Sequence, residues 1–335
     1  MKFKSTTLNE NAREYASVMS RIGITLLIFS VLLPFLTVAG QLLVEIPNQF
    51  SAESNFQYKV LLYTVDALTY MLSFMLPVLF YKLMSKNRAY RRMQLSLKIT
   101  KVTWLYIFIG LAITRAAAFL NNAFVSAIFP LESGSPERPD GIYELFLKII
   151  VIGLVPAICE EFLFRGMIAE NLKPYGKGIA VIVSAVLFGV MHQNPLQLLY
   201  TTVAGVVFAV IYFKTNSLLG CMIFHFINNT QSQISEYIYA TASEVVCEAF
   251  ETVYMILTTI LAIISLIVLF YRERKVSSYK VGFFKMNPAD CFEYAPRQIR
   301  EIDAVKGFFC ASNVIFLAIS LFSMIVVMVI LSGLF

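Results

Sequence analysis

Apolar positions run along this chain in long unbroken blocks, and polar positions gather in the short stretches between them. A block of about 20 largely apolar residues is long enough to cross a bilayer as a helix. The helix is favoured there because it satisfies its own backbone hydrogen bonds. The blocks predict nine candidate spans, at 21–46, 60–83, 103–128, 147–172, 178–193, 197–213, 216–239, 250–271 and 307–333. The fifth and sixth are short, and "HQNPLQ" between them predicts a tight turn. The expected fold class is all-α, a polytopic transmembrane helical bundle of about 8–9 spans. No stretch has the pattern of a soluble globular domain.

Composition agrees with that pattern. Of 335 residues, 58% are hydrophobic and 14% charged, against about 25% charged in soluble domains. The net charge of +6 is not a nucleic-acid signal, because the basic residues cluster in loops. Five cysteines without a CxxC pair suggest neither a disulfide framework nor a thiolate zinc site. The polar first 20 residues, with Glu10 and Glu14, do not form a signal-peptide pattern, so the first apolar block is expected to persist as a span.

Loop charge supplies an orientation. The N-terminal segment carries Lys2, Lys4, Arg13 and Arg21. The loop after the second span carries Lys82, Lys86, Arg88, Arg91, Arg92, Lys98 and Lys101, with no acid. Lys173, Lys177, Lys214 and the mixed stretch 272–306 continue the basic series, while the alternate loops hold Glu45, Glu53, Glu132, Glu137, Asp140, Glu244 and Glu248. The positive-inside rule then predicts a cytosolic N-terminus and an outside C-terminus in a cell membrane. The 272–306 stretch is expected to be a cytosolic connector resting on anionic headgroups. Three parts are expected: N-terminal helices over 1–141, a chemical core over 142–240, and C-terminal helices with the cytosolic loop over 241–335. No internal repeat is visible, which disfavours the inverted-repeat plan of many transporters.

Charge inside a span is costly and usually functional. "CEEFLFRG", residues 159–166, places Glu160, Glu161 and Arg165 there. Glu161 and Arg165 are i,i+4 and can pair; Glu160 points about 100° away around the helix. A packing ion pair accounts for two of these groups and leaves the second carboxylate unexplained. The only two histidines, His192 and His225, also lie in apolar blocks, and His225 shares a helix face with Asn229. At about 1.5 Å per residue, counted from Lys173, Gly178 and Lys214, Glu161, His192 and His225 lie roughly 18, 21 and 16 Å deep. Three helices thus bring polar residues to one level, in a site expected to open toward the cytosol.

A carboxylate in a dry pocket can act as a general base. One histidine can share the proton, while the other and an amide can donate to a developing oxyanion. The set suits water attack on a peptide carbonyl. Glu161 is the preferred base because Arg165 would keep it ionised, with Glu160 as the alternative. GxSxG, GxGD and HExxH are absent. His192, His225 and Glu161 also form a three-ligand set for zinc. A glutamate-activated water without an obligatory metal is preferred, because the two histidines lie on separate helices and no local HxxxH pair fixes a zinc geometry, so no cofactor is certain and zinc is a candidate.

"EEFLFR" reads as EExxxR, "FGVMH" as FxxxH and "HFINN" as HxxxN. In this order the chain resembles the CPBP or ABI family of intramembrane proteases, which includes the type II CAAX prenyl endopeptidases. The resemblance implies a membrane endopeptidase in which Glu160 or Glu161 activates water and His192 assists. It implies that His225 and Asn229 stabilise the oxyanion, with Arg165 and Phe188 in support. It implies a peptide or membrane-protein substrate, lipidated in the CaaX enzymes, and in bacterial relatives a link to peptide maturation or bacteriocin self-immunity. Cleavage is expected near the cytosolic half of the bilayer, with the lipid bilayer as the other partner and no nucleic acid. The rivals are a non-enzymatic immunity-type protein on the same fold and a proton-coupled carrier in which Glu161 titrates.

Overall fold

The computed structural model describes residues 8–48, 56–85, 93, 95–128, 138–277, 297 and 299–331. They form ten helices, with no strand among the described residues. In chain order they are α1 (Leu8–Asn48), α2 (Phe56–Met84), α3 (Lys101–Ile128), α4 (Ile142–Tyr175), α5 (Lys177–Met191), α6 (Leu198–Thr215), α7 (Leu218–Thr241), α8 (Glu244–Ser277), α9 (Glu301–Phe308) and α10 (Ala311–Leu331). The protein is a polytopic helical bundle.

Seven of the helices, α1, α2, α3, α4, α6, α8 and α10, are long and apolar enough to cross a membrane. The predicted fifth span, α5, is a shorter apolar helix, and the seventh, α7, falls outside the set although it has 24 residues. Its second half carries Asn228, Asn229, Gln231 and Gln233. Those side chains face the protein interior, so α7 lowers its own hydropathy without exposing polarity to lipid. The tight turn expected after α5 is present, with Gln193 at a left-handed φ of 51°. Most of the 272–306 connector, 278–296 and 298, lies outside the described residues; α8 continues through Ser277 and α9 occupies 301–308.

The outer surface is apolar. Phe35 and Leu43 on α1, Phe119 and Leu120 on α3, Ile260 on α8 and Phe322 on α10 are all exposed, as lipid-facing side chains are. Inside, small residues bring helices close, since lipid offers no hydrophobic drive for helix pairing and van der Waals packing must supply it. A Cβ on Gly205 of α6 would sit 2.9 Å from the Ala185 Cα of α5. One on Gly23 of α1 would collide with Asn313 and Ser312 of α10.

The central helix, α4, is irregular for a visible reason. It passes through π-helical turns at Ile149–Leu154 and Phe162–Ala169. Pro156 cannot donate a backbone N–H to the Ile152 carbonyl four residues earlier, and its ring crowds that turn. Widening of the first turn, Ile149–Leu154, to π geometry relieves the crowding. Asn229 Nδ2 of α7 then donates to Ile152 O at 3.1 Å. Glu160 and Glu161 sit on the short α-helical piece between the two π turns.

Candidate active site

α4 threads the middle of the bundle against α2 and α7, and its two adjacent glutamates face different neighbours. Glu161 is fully buried. Its Oε1 accepts from Arg165 Nη1 at 3.0 Å and from His225 Nδ1 at 3.0 Å. Arg165, also fully buried, donates through Nη2 to Gly205 O at 2.9 Å. Its guanidinium lies 4.7 Å from the ring centroids of both Phe188 and Phe208. Gly205 therefore has two duties: close α5–α6 packing and a carbonyl open to the arginine. The guanidinium is sandwiched by aromatic faces, a geometry that a lysine could not reproduce.

Glu160 turns the other way. Tyr70 of α2 donates a short hydrogen bond to Glu160 Oε1. Glu160 Oε2 has no hydrogen-bond partner among the described residues and lies 3.9 Å from His225 Nε2. His225 thus bridges the two carboxylates. A carboxylate only accepts, so His225 Nδ1 carries its proton toward Glu161, and Nε2 faces Glu160. This is the arrangement in which a buried carboxylate sets the tautomer and aim of an imidazole. His192, at the end of α5, hydrogen-bonds through Nδ1 to Phe188 O at 2.8 Å. A carbonyl also only accepts, so His192 Nε2 is left as an acceptor.

Glu160, His192, His225 and Asn229 all line one cavity of about 900 Å³. Phe188 lines it too, and its ring centroid lies 4.9 Å from that of His192 and 6.2 Å from that of His225. Glu161 and Arg165 stand behind the wall. All seven residues singled out by the sequence therefore meet, in two shells. Of the two carboxylates, the one that faces the cavity is Glu160, whereas the sequence argument prefers Glu161. Arg165 holds Glu161 so closely that it packs away from the chamber.

The candidate zinc set of His192, His225 and Glu161 does not fit a metal as arranged. Among the described residues no group of three His, Cys, Asp or Glu is placed to hold one, and Glu161 Oε1 is shared between Arg165 and His225 Nδ1.

The cavity lies at the end of the bundle away from Lys173, Lys177 and Lys214. Its walls are the second halves of α1, α3 and α7, the first halves of α2 and α4, and the α5–α6 turn. Toward Lys173, Lys177 and Lys214 the bundle is plugged by buried Leu163, Met167, Leu172, Tyr212 and Phe224. The depth count placed the residues at one level but could not say on which side of that level the packing is loose.

Several cavity residues escaped the sequence reading. Tyr70 is one tyrosine in an apolar block, with no motif to mark it. Asp66 lies one turn before it, and Asn121, Gln197 and Asn228 come from three further helices or turns. Asp66 was visible as a charge within a candidate span, and that rule alone could have flagged it.

Residues 142–231 match a family model described as type II CAAX prenyl endopeptidase Rce1-like. The chain is 35% identical over 94 residues to a Bacillus subtilis (strain 168) protein named "Putative membrane peptidase YdiL". That match covers 27% of this chain and 38% of the relative, so the chain spans less than half of the relative's length. No solved structure matches the chain. The matched segment runs from the start of α4 to the middle of α7 and contains all three motifs, and over it the chain is similar to the Rce1-like type II CAAX prenyl endopeptidases.

Proposed function

We propose that the protein is an intramembrane endopeptidase and that Glu160 is its general base. The observation that carries the reading is a carboxylate at the floor of a 900 Å³ cavity, with one oxygen held by Tyr70 and the other free beside His225 Nε2. Water bound between Glu160 Oε2 and His192 Nε2 attacks the carbonyl carbon of a peptide bond. As the O–C bond forms, one water proton passes to Glu160. The new oxyanion takes hydrogen bonds from the second Nδ2 hydrogen of Asn229 and from His225 Nε2–H, for which His225 must first take a second proton from solvent, its charge balanced by the adjacent Glu161 carboxylate. Collapse breaks the C–N bond, and Glu160 returns the proton to the leaving amine. Every proton moves between groups of this chain, the substrate and water.

Glu161 has a positioning part. It neutralises Arg165, fixes the Nδ1 proton of His225 and aims the ring. This division gives both glutamates and the arginine a task, where a single ion pair leaves Glu160 unexplained.

The test is cleavage of a quenched peptide library by detergent-purified protein, with and without Glu160→Gln and with and without a zinc chelator. Cleavage that survives chelation and disappears in the variant is expected. Retained cleavage in Glu160→Gln overturns the carboxylate mechanism. Activity lost on chelation and restored by zinc replaces it with a metal-based one.

A further inference from the structure

We propose that the chamber is entered from the non-cytosolic side of the membrane, and that its substrate is a cationic peptide segment exposed on that side, held by Asp66. The inference deepens the proteolytic reading and rests on it for the fate of the bound peptide. Two independent observations meet here, the direction of the cavity and the distribution of charge.

The cavity lies at the end of the bundle where α1 and α3 finish and α2 and α4 begin, the ends that segments 49–55 and 129–141 connect along the chain. The loop 49–55 contains Glu53 and no Lys or Arg, and 129–141 contains Glu132, Glu137 and Asp140 against Arg138. The plugged end is flanked by Lys173, Lys177 and Lys214 and, by alternation of the helices, by the acid-free basic loop after α2. The lysine and arginine bias orients a membrane protein with the basic end in the cytosol. The sealed floor below Glu160 then faces the cytosol and the mouth faces out.

The mouth is polar and built from groups that recognise a peptide backbone. Gln41, Asn121, Gln197, Asn228, Gln231 and Gln233 line it. Carboxamides both donate and accept, so they pair with successive N–H and C=O groups of an extended chain. Gln233 is 6% exposed and its Oε1 has no partner among the described residues. An acceptor in that state suits a donor brought by a ligand, because burying it unpaired is costly.

The charges in the mouth select the sign of the substrate. The bases around it are engaged: Arg115 pairs with Glu251, Lys59 with Glu144 and Asp140, and Lys148 with Glu236. The Asp66 carboxylate makes no hydrogen bond or ion pair among the described residues, yet it lines the cavity. It lies one helical turn, about 6 Å, outward from Tyr70. At about 3.3 Å per residue of extended peptide, Asp66 meets the side chain roughly two positions from the scissile bond.

The experiment uses the full chain with its native cysteines replaced and one new cysteine, either Ser232→Cys at the exposed mouth or Gly178→Cys at the sealed end. Gly178 has open space around its missing Cβ. A membrane-impermeant maleimide is applied to right-side-out and inverted vesicles. Ser232→Cys is expected to react in right-side-out vesicles and Gly178→Cys only in inverted ones; the reverse pattern overturns the proposal. A soluble Ala/Gly octapeptide with one central Lys is then added before the maleimide. It is expected to slow labelling of Ser232→Cys, and the same peptide with Glu in place of Lys is not. Adding Asp66→Asn should raise the Lys peptide concentration needed for half-protection by about tenfold. Equal protection by the two peptides, or none by either, overturns the cationic substrate class. Labelling does not depend on cleavage. Outward labelling with Lys-selective protection but no hydrolysis would keep this inference and remove the protease reading. Cleavage confined to peptides on the cytosolic side would do the opposite.

Discussion

Adjacent residues in one helix can do opposite work, and Glu160 and Glu161 are the clearest case. Each keeps one oxygen without a partner among the described residues, but Glu161 is tied through the other to Arg165 and His225 with no exposure, whereas Glu160 lines the cavity. Removing one partner of a buried ion pair costs about 3–5 kcal/mol because the other charge is left behind. Glu161→Gln is therefore expected to lower the melting temperature together with activity. Glu160→Gln is expected to abolish cleavage at an unchanged melting temperature. Thermal melts and single-turnover rates on the same preparations check both, and equal melting losses in the two variants would contradict the division of roles. Tyr70→Phe removes the hydrogen bond to Glu160 Oε1 and nothing else of size. It should lower kcat about tenfold with KM nearly unchanged, as expected for a group acting on the base rather than on substrate binding. The motif residues were legible from sequence because charge and histidine are rare in apolar blocks. Tyr70 was not, because its partner lies 90 positions away and a tyrosine in a span is ordinary.

At the scale of helices, the site depends on how closely α5 and α6 approach. Arg165 reaches Gly205 O only because a glycine sits there, and a Cβ would meet the Ala185 backbone at 2.9 Å. Backbone cannot yield as a flexible side chain does. Gly205→Ala is expected to cost about 1–3 kcal/mol as an overpacking change, while Gly178→Ala, with nothing near, is expected to be neutral or slightly stabilising. Thermal unfolding in detergent compares them directly. The run lengths led to nearly all of these helices, since hydropathy reports lipid exposure. They underrated α7, where polarity is turned inward, and gave no sign of the π turns in α4. The first of those turns, at Ile149–Leu154, is a response to Pro156 and to Asn229, and the second of these partners comes from another helix.

Across the whole molecule, α3 and α8 are joined at the mouth by Arg115 and Glu251, and Gln231 and Ser235 of α7 share the Glu251 carboxylate. α8 is otherwise among the most lipid-exposed helices, so this pair is expected to hold it against the core. Glu251→Gln should increase maleimide labelling of a cysteine placed at Ala118, inside the cavity wall. Reversing the pair, with Arg115→Glu and Glu251→Arg in one chain, should restore the native rate. No change in labelling would show that apolar packing alone docks α8. Charge bias in the loops and the order of the three motifs are properties of the linear chain, because each depends on composition or on spacing along one helix. They determined a multi-span helical protein, a basic end, and a cluster of glutamates, histidines and an asparagine at a common depth. Tertiary packing decided which glutamate faces the chamber, which residue holds it, and at which end the chamber opens. Those outcomes depend on where large side chains such as Phe164, Met167 and Tyr212 fill the bundle and where carboxamides and small residues leave it open. Packing of that kind is a sum over contacts between distant segments, and no local pattern encodes it.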